Sequence, residues 1–186
     1  SESGEGLQVL VYTPDQPDLF ARICAFFERA GYNIFDAKIH TTRRGYALDS
    51  FYVYIADNRH QSYRDLISYV EYELAHRLKE HAPLTPPHKG RVSRQLRHFP
   101  MEPRVSIRPD ERSGKFHVLS VLAGDRPGLL STIAHELSAN CIAIESAKIM
   151  TLGERAEDTF LISGKLLDDD KAVVQLETEL LQALRG

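Results

Sequence analysis

The chain has few cysteines, no long apolar run and no surplus of charge of one sign, and each shortage removes a class of function. Its two cysteines, Cys24 and Cys141, cannot build the disulfide framework of a small secreted domain and form no Cys-x-x-Cys pair, so they read as reduced thiols. No stretch approaches the ~20 apolar residues of a membrane span and none resembles a secretory leader, so a cytoplasmic protein away from membranes is expected. A net charge of −3 leaves no electrostatic footprint for nucleic acid or an anionic membrane. No Gly-x-x-x-x-Gly-Lys-Ser/Thr loop is present to cradle a phosphate. The eight histidines include no His-Glu-x-x-His set, since His135-Glu136 lacks the second histidine; neither metal nor cofactor is expected. The basic strip Lys89, Arg91, Arg94 and Arg97 has no aromatic interleaved before Phe99, which favours a solvated linker over nucleic-acid binding.

What the chain does have is a repeat. Val11-Tyr12-Thr13-Pro14-Asp15-Gln16-Pro17-Asp18-Leu19-Phe20 returns as Val121-Leu122-Ala123-Gly124-Asp125-Arg126-Pro127-Gly128-Leu129-Leu130. Ala37-Lys38-Ile39-His40-Thr41 returns as Ala147-Lys148-Ile149-Met150-Thr151, and Asp49-Ser50-Phe51 as Asp158-Thr159-Phe160. Asp15 to Asp125 and Ala37 to Ala147 are both 110 positions apart, so one folding unit occurs twice in 186 residues. Each unit is small, and its core gains from its sister or from a dimer partner. The polar start Ser1-Glu2-Ser3-Gly4-Glu5-Gly6, without Met, predicts a piece of a longer polypeptide.

The first unit reads β-α-β-β-α. Leu7–Tyr12 is an apolar strand, and Pro17 suits the first turn of a helix whose inward face is Leu19, Ile23, Phe26, Phe27 and Ala30, with Gly31 as its left-handed stop. Ile34–Thr41 alternates, placing Phe35, Ala37 and Ile39 on one face and Asp36, Lys38 and His40 on the other. Tyr46–Ile55 is the next strand. A helix from about Ser62 to His81 buries Leu66, Val70, Leu74 and Leu78. The second unit repeats the order. Phe116–Ala123 is a strand, and a helix from Pro127 to about Ala139 turns Leu130, Ile133 and Leu137 inward. A hairpin of Ile142–Thr151 with Glu157–Ser163 follows, then a helix from about Asp169 with Val173, Leu176, Leu180 and Leu184 inward. Asp168 to Asp170 favour the start of that last helix. Residues 83–114, with Pro83, Pro86, Pro87, Pro100, Pro103 and Pro109, form a linker with one embedded strand, 104–108. That strand either closes the first unit (7–82) or forms a hairpin with the first strand of the second (115–186). The fold class is therefore α+β, two ferredoxin-like βαββαβ units, with the linker strand able to complete the second.

The Asp-x-Pro-(Gly/Asp)-Leu-(Leu/Phe) loop between strand one and helix one resembles the ACT-domain family. Four ordered segments carry a closer resemblance: Asp15–Phe20, Gly45–Phe51, Arg97-His98-Phe99-Pro100 and Ala147–Arg155. Together they are similar to the C-terminal tandem ACT region of bacterial PII uridylyltransferase/uridylyl-removing enzymes, over nearly the whole chain from Leu7. That family implies a nucleotidyltransferase domain that adds UMP to the PII signal protein, an HD domain that removes it, Mg for those catalytic domains, and ACT domains that respond to L-glutamine. The chain has neither a Gly-Ser nor a His-Asp dipeptide to open the two catalytic signatures, so the resemblance implies a regulatory region rather than an enzyme. Its partners would be L-glutamine, the catalytic domains of the same polypeptide and, through them, PII, with a homodimer or intrachain pairing of ACT units. The competing reading is a stand-alone tandem ACT regulator that binds another protein and senses no small molecule.

The residues offer sites for a free amino acid. A loop entering a helix presents unpaired N–H groups and a positive dipole end to a carboxylate. In the second unit that loop is Asp125, Arg126, Pro127, Gly128 and Leu129; in the first it is Asp15, Gln16, Pro17, Asp18 and Leu19. Either aspartate can accept from an ammonium group, and Gly128 lets a ligand approach the backbone. By resemblance, Asn33-Ile34 and Ala143-Ile144 form the facing walls. Taken alone, an aspartate before a helix is ordinary turn chemistry, and it is the resemblance that assigns the loop to ligand binding. Asp18 in place of Gly128 repels a carboxylate unless it turns away, which makes the second unit the better site. Lys38 and Lys148 hold equivalent outward positions, and Asp49 and Asp158 are expected to pair with them across each hairpin.

Overall fold

A computed structural model describes residues 6–55, 62–81, 87 and 101–185, and everything below refers to these. The basic strip, the segment Arg97–Pro100, and His60, His88 and His98 lie outside them.

The first unit runs β1 (Gly6–Pro14), α1 (Leu19–Arg29), β2 (Tyr32–Lys38), β3 (Tyr46–Ile55) and α2 (Tyr63–Lys79). The second runs β4 (Arg104–Pro109), β5 (His117–Gly124), α3 (Leu129–Ala139), β6 (Ala143–Lys148), β7 (Thr151–Leu152), β8 (Arg155–Ser163), a 3₁₀ turn (Lys165–Asp168) and α4 (Asp170–Arg185). The first sheet has the order β1-β3-β2 and the second β4-β5-β8-β6, with all strand pairings among the described residues antiparallel. Each sheet has one face under its helices, which is the ferredoxin-like arrangement expected of tandem ACT units.

The helical stripes fall where the spacing puts them. Leu19, Ile23, Phe26 and Phe27 of α1, Leu66, Val70, Leu74 and Leu78 of α2, and Leu176, Leu180 and Leu184 of α4 are all buried, while Val173 is partly so. Ser62 caps α2 by accepting from the Asp65 N–H at 3.4 Å. The linker strand takes the hairpin placement. Arg104 lies opposite Leu122 and Pro109 opposite His117, and the Ile107 N–H donates to Glu177 Oε1 of α4 at 2.6 Å. In the first sheet no described strand lines the outer edge of β1, which borders an apolar groove of about 610 Å³ against α2.

Two expectations fail for one reason, the facing of alternate residues. A bulge between Ile34 and Asp36 turns Phe35 out to the open face, where its ring lies 5.8 and 6.0 Å from those of Tyr52 and Tyr54, instead of inward with Ala37 and Ile39. Asp49 and Asp158 make no lysine pair. Each shares the helix-covered face with a buried phenylalanine two residues on, whereas Lys38 and Lys148 stand exposed opposite Ser50 and Thr159.

The two units pair within the chain. Helix α1 packs beside α3, and β2 runs alongside β6. Their buried side chains form one continuous core, with Phe20 of α1 edge-on to Phe160 of β8 at 6.1 Å between centroids. No helix among the described residues is long and apolar enough to cross a membrane.

Candidate functional site

Local bonds fix where each Asp-x-Pro loop goes. The Asp15 N–H donates to the Gly45 carbonyl and the Asp125 N–H to the Glu154 carbonyl, both at 2.8 Å, tying each loop to the hairpin turn of its own unit. The residue after proline then takes a left-handed backbone, with φ 59° at Asp18 and 86° at Gly128. Glycine adopts it freely, and aspartate is among the few other residues that tolerate it. Neither residue caps its own helix through a side chain. Instead, bonds cross the seam between the units. The Ser131 N–H of α3 donates to Glu28 Oε1 of α1 at 3.3 Å, and the Ser131 hydroxyl donates to Glu28 Oε2. On the other side, Asp18 Oδ1 accepts from the Ser138 hydroxyl of α3.

Two cavities flank this seam, and each is built from both units. In the first, of about 590 Å³, Asp15, Gln16, Pro17, Asp18 and Leu19 face Ala143 and Ile144 of the second unit. In the second, of about 320 Å³, Asp125, Arg126, Pro127, Gly128 and Leu129 face Asn33 and Ile34 of the first. The residues singled out in the sequence thus fall into two groups of seven, each loop walled by the strand start of the other unit.

Each cavity holds one acid deeper than the loop. Asp49 lines the first and Asp158 the second, at 1% and 2% exposure. One oxygen of each accepts a backbone N–H: His40 to Asp49 at 3.2 Å and Met150 to Asp158 at 3.3 Å. The other oxygen of each is buried without a hydrogen-bond partner among the described residues. Burial pushes the Asp49 carboxyl up to about 6 and Asp158 up to about 7, with the nearby Asp15 and Asp125 carboxylates adding to the rise. Burial also raises Asp125, which is half-buried, whereas Asp15 is exposed. Such orphaned oxygens cost stability unless something donates to them. The Asp-Ser/Thr-Phe repeat carried the signal for these acids, because a residue two places before a buried strand phenylalanine shares its face. Glu28, Ser131 and Ser138 left no such signal.

The second residue of each loop lines its cavity and also bonds toward the end of its unit's last helix. Gln16 Oε1 accepts from His81 Nδ1 at 2.9 Å beyond the end of α2, and Arg126 Nη2 donates to the Ala183 carbonyl in the last turn of α4 at 3.1 Å. Both loops therefore touch the C-terminal end of their unit's last helix. Among the described residues, no cluster of three or more His, Cys, Asp or Glu could hold a metal ion. The second cavity is lined by two acids, Asp125 and Asp158, and by the start of α3 at Gly128–Leu130.

No family model matches the chain. Curated relatives do. A bifunctional uridylyltransferase/uridylyl-removing enzyme of Chromobacterium violaceum is 54% identical over 185 residues, covering 100% of this chain and 22% of that protein. The enzyme of the same description from Aromatoleum aromaticum is 54% identical over 184 residues, and that from Nitrosospira multiformis 53% over 184; each covers 99% of this chain and 21% of the relative. A crystal structure of a provisionally named glycine cleavage system transcriptional repressor covers 99% of the chain at 16% identity and a TM-score of 0.34, too distant to bear on function. The chain spans about a fifth of the length of the curated relatives it matches, and it is homologous to their C-terminal region. What matches is a segment of a bifunctional enzyme, not the enzyme.

Proposed function

We propose that this chain is the amino-acid-sensing region of a cytoplasmic bifunctional uridylyltransferase/uridylyl-removing enzyme acting on the PII signal protein, and that L-glutamine is its ligand. The observation that carries the proposal is the composite build of the cavities, in which a loop of one unit and a strand start of the other enclose an unpartnered buried carboxyl oxygen. In the second cavity the ligand's ammonium group would donate to Asp158 Oδ2 and to Asp125. Its carboxylate would meet the start of α3, where N–H groups and the helix dipole favour an anion. A ligand held by both units binds best when α1 and α3 keep one packing, so it shifts the population toward that packing. The catalytic domains of the relatives, which this chain does not span, would read that shift as a coupling free energy. Gln16–His81 and Arg126–Ala183 extend the link from each loop to a helix end.

Calorimetry of the chain with L-glutamine, L-glutamate and glycine tests the proposal. Saturable heat with glutamine, weakened at least tenfold by Asp158→Asn, is the expected result; no heat with any of the three would rule it out.

A second reading, a tandem ACT regulator that works by protein contact, is favoured by one feature. The open face of the first sheet exposes Leu10, Tyr12, Tyr46, Leu48 and Phe35 together, with Tyr12 and Tyr46 stacked at 5.1 Å. Glutamine-insensitive binding of a partner protein, abolished by Leu10→Lys, would select it.

A further inference from the structure

We infer that Glu28 is the resident occupant of the anion position in the second cavity, and that a ligand's carboxylate must displace it to bind. The inference deepens the amino-acid reading above and rests on it. Ser131 is the third residue of α3, so its N–H is one of the groups a helix start leaves without an intrahelical partner. Gly128, at the cap position, has no side chain to satisfy it. Glu28 supplies the missing acceptor from the other unit. One carboxylate oxygen takes the Ser131 N–H and the other takes its hydroxyl, on a serine that is 4% exposed. A carboxylate at a helix start takes such bonds, and Glu28 lines the cavity whereas Ser131 does not, so Glu28 stands between the cavity and these donors.

Asp158 lines the same cavity, and its orphaned oxygen offers a place for an ammonium group. A zwitterion spanning the two would set its carboxylate against that of Glu28, and two carboxylates cannot share one pair of donors. Displacement releases Glu28 from Ser131 and so breaks a bond between the units. Ligand occupancy is thereby tied to the seam that α1 and α3 share. In the first cavity the corresponding carboxylate is Asp18, a residue of the loop itself, which stays with that loop when the units move. The displaceable site is the second one.

The test measures binding of L-glutamine and of L-glutaminamide, which lacks the α-carboxylate, to wild type, Glu28→Ala and Glu28→Gln. Glu28→Ala is expected to bind glutamine at least about fivefold tighter than wild type, since the two bonds from Ser131 to Glu28 no longer compete. It should bind glutaminamide no tighter. Glu28→Gln keeps an oxygen for Ser131 and loses the charge, so a gain of about twofold is expected; it also serves if the alanine variant fails to fold. The Ser131 amide resonance should move on adding glutamine to wild type and stay still in Glu28→Ala. Equal or weaker glutamine binding in both folded variants, beside a wild type that binds, overturns the displacement alone. Absence of binding by all three proteins overturns the amino-acid reading, and this inference with it.

Discussion

Ser138 donates its hydroxyl to Asp18 across the seam between the units, and this bond is the counterpart of the one from Ser131 to Glu28 with the acid moved to the other side. Positions 18 and 128 correspond in the repeat, as do 28 and 138. The first cavity has its carboxylate on the loop and a serine on the facing helix; the second has a glycine on the loop and a carboxylate on the facing helix. The difference between Asp18 and Gly128 is therefore one of backbone and mobility, not of charge at the seam. Ser138→Ala removes the donor from a half-buried aspartate, and hydrogen bonds to charged groups contribute about 1.5–3 kcal/mol. Urea unfolding should show a loss of about 1–2 kcal/mol with an unchanged m-value.

The buried acids make stability depend on pH. Asp158 rises from its ordinary 3.8 to about 7 in the folded protein, so the native state holds its proton more tightly than the unfolded chain. Its contribution is complete below about pH 4 and is lost as pH rises through 7; Asp49 acts in the same sense between 3.8 and about 6. Wild type should be less stable at pH 8 than at pH 5 by roughly 1–3 kcal/mol. Asp158→Asn, neutral throughout, should flatten most of that slope. Chemical denaturation at pH 5 and 8 measures both, and a variant with the wild-type slope would contradict the burial of this carboxyl.

The same proton links to ligand binding. An ammonium group against Asp158 favours its charged form and draws the carboxyl down. Glutamine binding near pH 7 should then release a fraction of a proton, seen as a binding enthalpy that differs between buffers of different ionisation enthalpy. Affinity should rise from pH 6 to pH 8, up to about tenfold per unit at the lower end. Buffer-independent enthalpies would place the ligand's ammonium away from Asp158.

Much of this was legible in the sequence because it is local. A helical stripe such as Leu66, Val70, Leu74 and Leu78 follows from 3.6-residue spacing, and the Asp-x-Pro loops from turn chemistry. Phe35 was not, because a bulge inserts one residue and reverses the facing of that side chain. Asp49 and Asp158 were misread because a charged residue on a strand is ordinarily solvated, and here the register places it beside the core. The crossing of each loop to the other unit's strand, and the part played by Glu28, depend on how α1 lies against α3. No pattern within a single unit encodes that packing.

The strand β4 gives the last prediction, on which unit its residues stabilise. Ile107 is 7% exposed, sits opposite Leu119, and anchors β4 to α4 through Glu177. Ile107→Ala deletes buried carbon in the second unit, where such truncations cost about 2–4 kcal/mol. The loss should appear as faster amide exchange in β5, at Leu119 and Val121, and in β8, at Phe160. Amides of β1 and β3 should keep their protection, since β4 touches neither in the sheet order. Loosening of Leu7–Val11 instead would mean that in solution the strand closes the edge of β1, and that the second sheet completes itself by other means.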